Sequence, residues 1–293
     1  MKRFGLIGHP IAHSLSPALF KAAYALPGDK EADATEYIYE LIESEDFNEA
    51  YRRFIDGYDG VNVTAPFKEL AFAKADMLSP ECRLIGATNL LVKTSSGIKA
   101  YNSDYYGIAL AILAHAGAQH FPPRPSQNEM RKAMSGKAET ALVAGAGGAG
   151  KAAAIAAAGL GLRTTLMNRT IEKAEKIASE LPELGFNVRP ISEFAEAFKD
   201  SDIIIYTLPK AIDGITEIAS GICGRDARKK YILEANYRDP ALKDIAGSLK
   251  SLGITYIPGE EWLLYQAYAG YDLFTGKTPS LPDMASAISA RNK

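Results

Sequence analysis

Apolar runs of strand length alternate with segments of helical spacing along almost the whole chain. In the first third, strands are predicted at Lys2–Gly8, Glu36–Ile42, Gly60–Thr64, Ala87–Lys93 and Ile98–Asn102. Helical patterns fall between them at Pro17–Ala25, Asp46–Ile55 and Lys68–Asp76. A second series begins at Thr140, with a strand at Ala141–Ala144, a glycine turn, an Ala-rich helix over 149–159 and a strand at Thr164–Met167. It continues with a helix at Ile171–Leu181 and strands near Asp202–Tyr206, Tyr231–Ala235 and Ile254–Ile257. Strands that alternate with helices predict parallel sheets and an α/β fold. The last segment, Glu260–Leu273, is apolar and aromatic at helical spacing and precedes the turn Thr275-Gly276-Lys277.

The bulk properties narrow the class. A chain of 293 residues suggests about two domains. With 47% hydrophobic and 23% charged residues and a net charge of −2, nothing favours nucleic acid or an anionic membrane surface. No apolar run approaches the roughly 18 residues of a membrane span. The start, Lys2–Gly8, is basic and then apolar, but it breaks too early for a signal peptide and reads as an edge or first core strand. Cys82 and Cys223 are too few for a disulfide framework and lack metal-ligand spacing, so no metal is expected. A cytoplasmic enzyme or binding protein acting on a small molecule fits these bounds. The Pro-rich stretch Phe121–Asn128 and the following Met130–Lys137 read as an exposed, mobile excursion.

Two stretches carry candidate chemistry for a dinucleotide. Gly145-Ala146-Gly147-Gly148-Ala149-Gly150 fits G-x-G-x-x-G, follows a strand-like run and opens a helix. Glycines there permit a tight turn and close approach of backbone to a pyrophosphate on the helix N-terminus. The bland alternative is a Gly/Ala-rich helix packed closely on a sheet. An NAD site usually places an acid about 20 residues on, to bond the ribose hydroxyls. No acid occurs from Lys151 through Ile171, and the second strand ends instead in Asn168-Arg169-Thr170. A cation there can pair with a 2′-phosphate, which favours NADP over NAD.

Other polar residues cluster at turns in the first third. In Gly8-His9-Pro10-Ile11-Ala12-His13-Ser14-Leu15-Ser16-Pro17, Ser16 is a good helix N-cap with proline at the first helical position. Ser14 has no such structural reason, and an extended chain would aim both hydroxyls at one polyol or carboxylate. His9 and His13 read as turn or packing residues. Lys68, in Asn62-Val63-Thr64-Ala65-Pro66-Phe67-Lys68, stands near a helix N-terminus, where the dipole disfavours its charge; it reads either as a plain exposed lysine or as one suited to proton transfer. Asp104 closes another strand, where its carboxylate could cap the next helix. A lysine and an aspartate at strand ends suit a dehydrogenase, which must move one proton as hydride moves.

Taken together, these stretches resemble the shikimate dehydrogenase family from Arg3 to Gly276. Ser14-Leu15-Ser16-Pro17 matches its substrate serines, and Asn62-Val63-Thr64-x-Pro66-x-Lys68 its catalytic-lysine signature, whose threonine contacts substrate. Gly86-Ala87-Thr88-Asn89 resembles its asparagine motif, and Asn102-Ser103-Asp104-x-x-Gly107 the segment with its catalytic aspartate. Asn168-Arg169-Thr170 resembles its phosphate clamp, while Tyr237 and Gln266 resemble two later substrate positions.

The resemblance implies an N-terminal α/β substrate domain over 1–104, rejoined by C-terminal helices over 260–293, and a Rossmann-type NADP domain with a mainly parallel sheet over 105–259. The active site would lie in the cleft between them. It further implies that Lys68 donates a proton to a carbonyl oxygen while Asp104 orients it. Ser14 and Ser16 would hold a carboxylate; Thr64, Asn89 and Gln266 would hold ring hydroxyls. The implied enzyme is an NADP-dependent shikimate dehydrogenase, a monomer or homodimer, reducing 3-dehydroshikimate to shikimate in aromatic amino-acid biosynthesis. A quinate/shikimate enzyme of relaxed specificity and a non-catalytic NADP- or metabolite-binding homologue are the alternatives.

The chain departs from the family pattern at Phe20-Lys21, Leu90, Glu234 and, most of all, Tyr206-Thr207-Leu208-Pro209-Lys210-Ala211-Ile212. In that last segment a tyrosine replaces a small amide and a glycine is lost, which places the nicotinamide geometry in question.

Overall fold

The computed structural model describes residues 1–24, 36–118, 121–220 and 229–290. They form two compact units, the first comprising Met1–Gly107, Pro122–Arg124 and Leu264–Lys293, the second Ile108–Phe121 and Pro125–Leu263. These divisions fall at 107/108 and 263/264 rather than at 104/105 and 259/260. Each interrupts a helix, and a helix is a continuous hydrophobic pattern that shows no boundary in sequence.

Unit 1 is built on a six-stranded sheet with the order β2-β1-β3-β5-β6-β4. Its elements in chain order are β1 (Lys2–Gly8), α1 (Ser16–Tyr24), β2 (Tyr37–Glu43), α2 (Phe47–Gly57), β3 (Gly60–Val63) and α3 (Lys68–Ala73). They are followed by β4 (Met77–Leu78), α4 (Pro80–Ile85), β5 (Leu90–Thr94), β6 (Gly97–Tyr101) and the start of α5 (Asp104–His115). Strand β1 lies between β2 and β3, so the opening run is a core strand, with Phe4, Leu6 and Ile7 buried. The helix expected over 17–25 begins at Ser16 and is described to Tyr24; residue 25 lies outside the described residues.

The sheet is mixed rather than parallel, because β5 runs antiparallel to both β3 and β6. The cause is local. Thr94-Ser95-Ser96-Gly97 is too short for a crossover helix, Gly97 takes a φ of 120°, and the Thr94 hydroxyl donates to the Gly97 carbonyl. A two-residue connection of this kind can only join antiparallel neighbours. One face of the sheet buries Ile7, Ile42, Phe54, Val61, Val63 and Leu91. On the amphipathic α2, Phe47, Ala50 and Phe54 face inward, and Asp46 caps the helix by accepting from the Asn48 amide at 2.8 Å. An aromatic layer includes Phe20 stacked on Tyr39 (centroids 4.3 Å apart) and Phe4 on Phe274 (4.5 Å).

Unit 2 carries a six-stranded sheet, every pair of which is parallel, in the order β12-β11-β10-β7-β8-β9. After α6 (Gln127–Met134), it runs through β7 (Thr140–Ala144), α7 (Gly148–Gly159), β8 (Arg163–Asn168), α8 (Ile171–Glu180), β9 (Asn187–Pro190) and α9 (Phe194–Asp200). It then continues with β10 (Ile203–Tyr206), α10 (Asp213–Ala219), β11 (Lys230–Glu234), α11 (Ala246–Ser251), β12 (Ile254–Ile257) and the start of α12 (Gly259–Thr275); the rest of α12 and α13 (Leu281–Ser289) belong to unit 1, where α13 packs on α1. Strand β10 reads Ile-Ile-Ile-Tyr and is buried throughout, as expected of a strand covered on both faces. The residues Ala152, Ala153, Ala154, Ala156 and Ala157 are buried along α7, and small side chains let such a helix lie close to its sheet.

The Pro-rich excursion is exposed over most of its length, as expected, but is anchored at a few buried positions. Pro123 and Pro125 are buried, and Ser126 caps α6 in a reciprocal box with Glu129. Met130 and Met134 are buried on its inner face, and Arg131 donates to the Ala158 carbonyl. The proline run masks a helix whose start signal, Ser126-x-x-Glu129, is present in the sequence. Residues 119–120 lie outside the described residues.

Candidate functional site

Unit 1 gathers several polar side chains at the ends of β1, β3, β5 and β6. Strand β3 runs out through Thr64 and the cis-linked Ala65-Pro66 into α3, whose first residue is Lys68. Backbone bonds tie this turn to its neighbours: the Thr64 amide donates to Ile7 O, the Val63 amide to Asn89 O and the Thr88 amide to Lys68 O. Gly8 explains why the turn can come so close. A Cβ there would meet Thr64 Cγ2 at 2.3 Å, so only glycine leaves room for the threonine.

Lys68 Nζ donates to Asp104 Oδ2 at 2.6 Å, joining residues 36 positions apart. The lysine side chain is 34% exposed and the aspartate 11%, so the pair is sheltered yet reachable through the lysine. Asn102 Oδ1 accepts from the Asp104 amide at 3.1 Å, and the Asp104 carboxylate holds the lysine. Asn102 Nδ2 donates to Ala87 O, which draws the 102–104 and 87–89 segments together.

Asn89 is buried. Its Oδ1 accepts from the Ser103 amide (2.7 Å) and the Ser103 hydroxyl (3.2 Å). Its Nδ2 is buried with no hydrogen-bond partner. An unsatisfied buried amide is costly, and a ligand hydroxyl or carbonyl would relieve it. The polarity of the site is thereby set: Asn89 offers a donor, because its oxygen is already engaged.

The serine turn differs from its expected arrangement. The helix begins at Ser16 itself, one position earlier than the proline signal suggested, and Leu15 O accepts its first bond, from the Leu19 amide. Just upstream, Ser14 Oγ accepts from the Ser16 amide at 3.2 Å. The Ser16 hydroxyl interacts with the Tyr39 hydroxyl, which donates in turn to Asn62 Oδ1 at 2.8 Å. Asn62 Nδ2 donates to Asn89 O at 3.3 Å. A hydrogen-bonded line thus runs from Tyr39, beside Ser16, through Asn62 to Asn89. Burial raises the Tyr39 pKa well above the ordinary phenol value, which keeps its hydroxyl protonated and donating. Sequence reasoning missed Tyr39, because its partners are non-local and its neighbours read only as a strand. His9, read as a turn residue, faces Glu43 and Glu45 at 3.7 and 3.4 Å. Gln266 is half-buried on α12 within unit 1.

The glycine turn lies in unit 2 between β7 and α7. Gly145 takes a φ of 115°, and a Cβ on it would meet Thr207 Oγ1 at 2.1 Å; one on Gly150 would meet Gly145 O at 2.0 Å. Those two glycines are required by the fold. Gly147 and Gly148 have open space where a Cβ would lie, and with Ala149 they are exposed at the start of the 12-residue α7. An uncovered glycine backbone on a helix N-terminus fits a pyrophosphate. Asn168 braces this loop: its Oδ1 accepts from the Ala146 amide, and its Nδ2 donates to Thr170 O. Arg169 and Thr170 are exposed beside it, and Arg169 forms no ion pair among the described residues.

Tyr237 also belongs to unit 2, on the segment after β11, and its amide abuts Gly259. Glu234, at the end of β11, is buried; its carboxylate accepts from the Ala241 and Leu242 amides and from the Tyr256 hydroxyl. Burial raises its pKa above the ordinary carboxylate value. Among the described residues, no group of His, Cys, Asp and Glu could hold a metal ion. Cys82 is buried and its thiol is pushed up to about 12 by desolvation, so it is inert; Cys223 lies outside the described residues.

A parallel, glycine-looped sheet unit and a separate α/β unit with a lysine–aspartate pair define the architecture of a two-unit nicotinamide-dependent dehydrogenase. Comparison with known proteins narrows the class. Residues 6–91 match the shikimate dehydrogenase substrate binding domain, and residues 128–215 match the shikimate / quinate 5-dehydrogenase model. The NADP(+) shikimate dehydrogenase of Methylobacterium radiotolerans is 31% identical, covering 97% of this chain and 95% of that one. The crystal structure of Mycobacterium tuberculosis shikimate dehydrogenase is 30% identical, with a TM-score of 0.77 over 99% of this chain and all (100%) of that one. The Thermus thermophilus shikimate 5-dehydrogenase, solved in complex with NADP(H) and shikimate, is 26% identical with a TM-score of 0.74 over 99% of both chains. The chain belongs to the shikimate dehydrogenase family.

Proposed function

We propose that this protein is an NADP-dependent shikimate dehydrogenase, interconverting 3-dehydroshikimate and shikimate in the aromatic amino-acid (chorismate) pathway. The observation that carries the reading is the 2.6 Å contact between Lys68 and Asp104 beside the unpaired amide of Asn89. When bound, NADPH supplies the hydride. Lys68 gives a proton from its ammonium to the substrate carbonyl oxygen, which becomes a hydroxyl, and the neutral amine then recovers a proton from solvent. Asp104 holds the ammonium in line and stabilises its charge. Asn89 Nδ2 donates to a ring hydroxyl, with Thr64 and Gln266 as further hydroxyl contacts and Ser14 and Ser16 at the carboxylate. Tyr237 supplies an additional substrate contact.

Gly145, Gly147, Gly148, Ala149 and Gly150 cradle the pyrophosphate, and Asn168, Arg169 and Thr170 hold the adenosine 2′-phosphate. The missing acid and the exposed guanidinium support NADP over NAD. No described helix is long and apolar enough to cross a membrane; the proposed site of action is the cytoplasm. The protomer acts as a monomer or homodimer on a small-molecule substrate.

Steady-state oxidation of shikimate, followed at about 340 nm with NADP and NAD and with quinate as second substrate, tests the reading. NADP-dependent turnover of shikimate is expected. Comparable turnover of quinate would favour the relaxed-specificity reading, which the shikimate / quinate description of the matched model keeps open. Binding without turnover of either would refute the enzymatic role.

A further inference from the structure

The segment that departs most from the family pattern, Tyr206–Ile212, is held by a device of its own. Tyr206 ends β10 and is fully buried, with its ring edge-on to Phe194 (centroids 6.4 Å, 89°) in the core shared with Leu142, Ile204 and Ile232. The side chain therefore turns away from the outer end of the sheet. Its hydroxyl is engaged, donating to Lys210 O at 2.6 Å. Both ends of the loop are fixed as well. Thr207 donates to Ala144 O through its amide (2.8 Å) and its hydroxyl (2.9 Å), and the Ile212 carbonyl accepts from the Ile215 amide at the start of α10. Leu208 and Ile212 pack on the core, while Pro209, Lys210 and Ala211 form an exposed tip.

The loop's place in the sheet indicates what it serves. Strand order reverses between β7 and β10, and ligands of such sheets bind outside the carboxyl ends of the strands at that switch point. The β8 side of the glycine loop carries Asn168-Arg169-Thr170, the adenosine 2′-phosphate end in the reading above. The other nucleoside of a dinucleotide must then extend across β7 toward β10. Thr207 is the first residue it meets, lying so close to Gly145 that no Cβ fits between them.

We propose that Tyr206 is a positioning residue for the nicotinamide half of the cofactor, its hydroxyl clamping the 207–212 loop through Lys210 O. This rests on the NADP reading above. In this chain a buried phenol does from the core side what a short, glycine-containing turn would do by its own backbone. The departure is thus compensated and need not signal a lost active site.

The test compares Tyr206→Phe with the native chain by calorimetric titration of NADPH and of 2′,5′-ADP, which carries the adenosine 2′-phosphate end without nicotinamide. Phenylalanine keeps the ring in the core and removes only the hydroxyl. The expected result is unchanged 2′,5′-ADP affinity and NADPH affinity weakened about fivefold or more, the scale of one lost hydrogen bond. Unchanged 2′,5′-ADP binding also shows that unit 2 is folded. If Tyr206→Phe does not fold, Pro209→Gly loosens the exposed tip without touching the core and is expected to give the same ligand-selective loss. Equal NADPH affinity, or parallel loss of both ligands, overturns the clamp. A native chain that binds neither ligand overturns the NADP reading, and the clamp with it.

Discussion

Lys68 Nζ and Asp104 Oδ2 lie 2.6 Å apart, joining the first residue of α3 to the first residue of α5. Both groups occupy helix N-termini, where the dipole favours the carboxylate and disfavours the ammonium. The aspartate thus offsets at short range what the helix end costs the lysine. The result is a lysine held in one direction, with a proton available and a fixed counter-charge behind it. Its position is secured by backbone links, Thr88 to Lys68 O and Ser103 to Asn89, rather than by its own flexible stem.

Tyr39 connects the serine turn to the asparagines. Tyr39→Phe keeps the stack on Phe20 and leaves the buried Asn62 Oδ1 without its donor. Loss of about 1–3 kcal/mol of stability is expected, measurable by urea denaturation, with a raised KM for shikimate and a smaller change in kcat. Native stability and KM together would show that the line of hydrogen bonds has no role.

The choice of dinucleotide is proposed to rest on Arg169. Arg169→Ala is expected to weaken NADPH about tenfold or more, the scale of a charge-assisted bond, and to leave NADH binding nearly unchanged. Equal losses for the two, measured by fluorescence titration, would place the phosphate contact elsewhere.

The glycine loop makes two opposite predictions. Gly150→Ala forces a Cβ to within 2.0 Å of Gly145 O, so the melting temperature falls and the cofactor is lost. Gly147→Ala meets nothing in the chain, and its φ of −83° suits alanine. Its melting temperature is expected to stay native, while NADPH binding is lost because the methyl occupies pyrophosphate space. Native NADPH affinity in Gly147→Ala would show that the cradle is not used.

Glu234 predicts a direction of pH dependence. Its folded pKa is raised above the ordinary value of 4.5 by burial, so the folded state holds its proton longer than the unfolded chain does. Its contribution is full below the unfolded pKa and is lost as pH rises through the folded one. In thermal melts, the native chain should therefore lose stability relative to Glu234→Gln as pH rises above 4.5. A difference between the two that is flat or opposite in slope would contradict the raised value.

Much of this was legible in the sequence, for physical reasons that differ by residue. The glycine turn and Asn168-Arg169-Thr170 are local: each needs only its neighbours and a strand before it. Strand alternation showed the α/β class, but not the antiparallel β5, since direction depends on how a connection closes. The helix α6 stayed hidden because prolines before it outweighed its capping box. The facing of Tyr206 could not be read either, as Ile203-Ile204-Ile205-Tyr206 is buried on both sides and has no alternation to orient it. Ser16 lies inside the helix rather than at its cap because the first helical turn closes one position earlier, on Leu15 O. Tyr39 and the pairing of Lys68 with Asp104 depend on the sheet bringing distant turns together; for the latter, the family resemblance stood in for geometry.

The most direct test of the central claim is shikimate oxidation by Lys68→Ala beside the native chain, at saturating NADP and varied shikimate. The account predicts a fall in turnover of about 10²-fold or more with a modest change in shikimate affinity. Turnover equal to that of the native chain would contradict it.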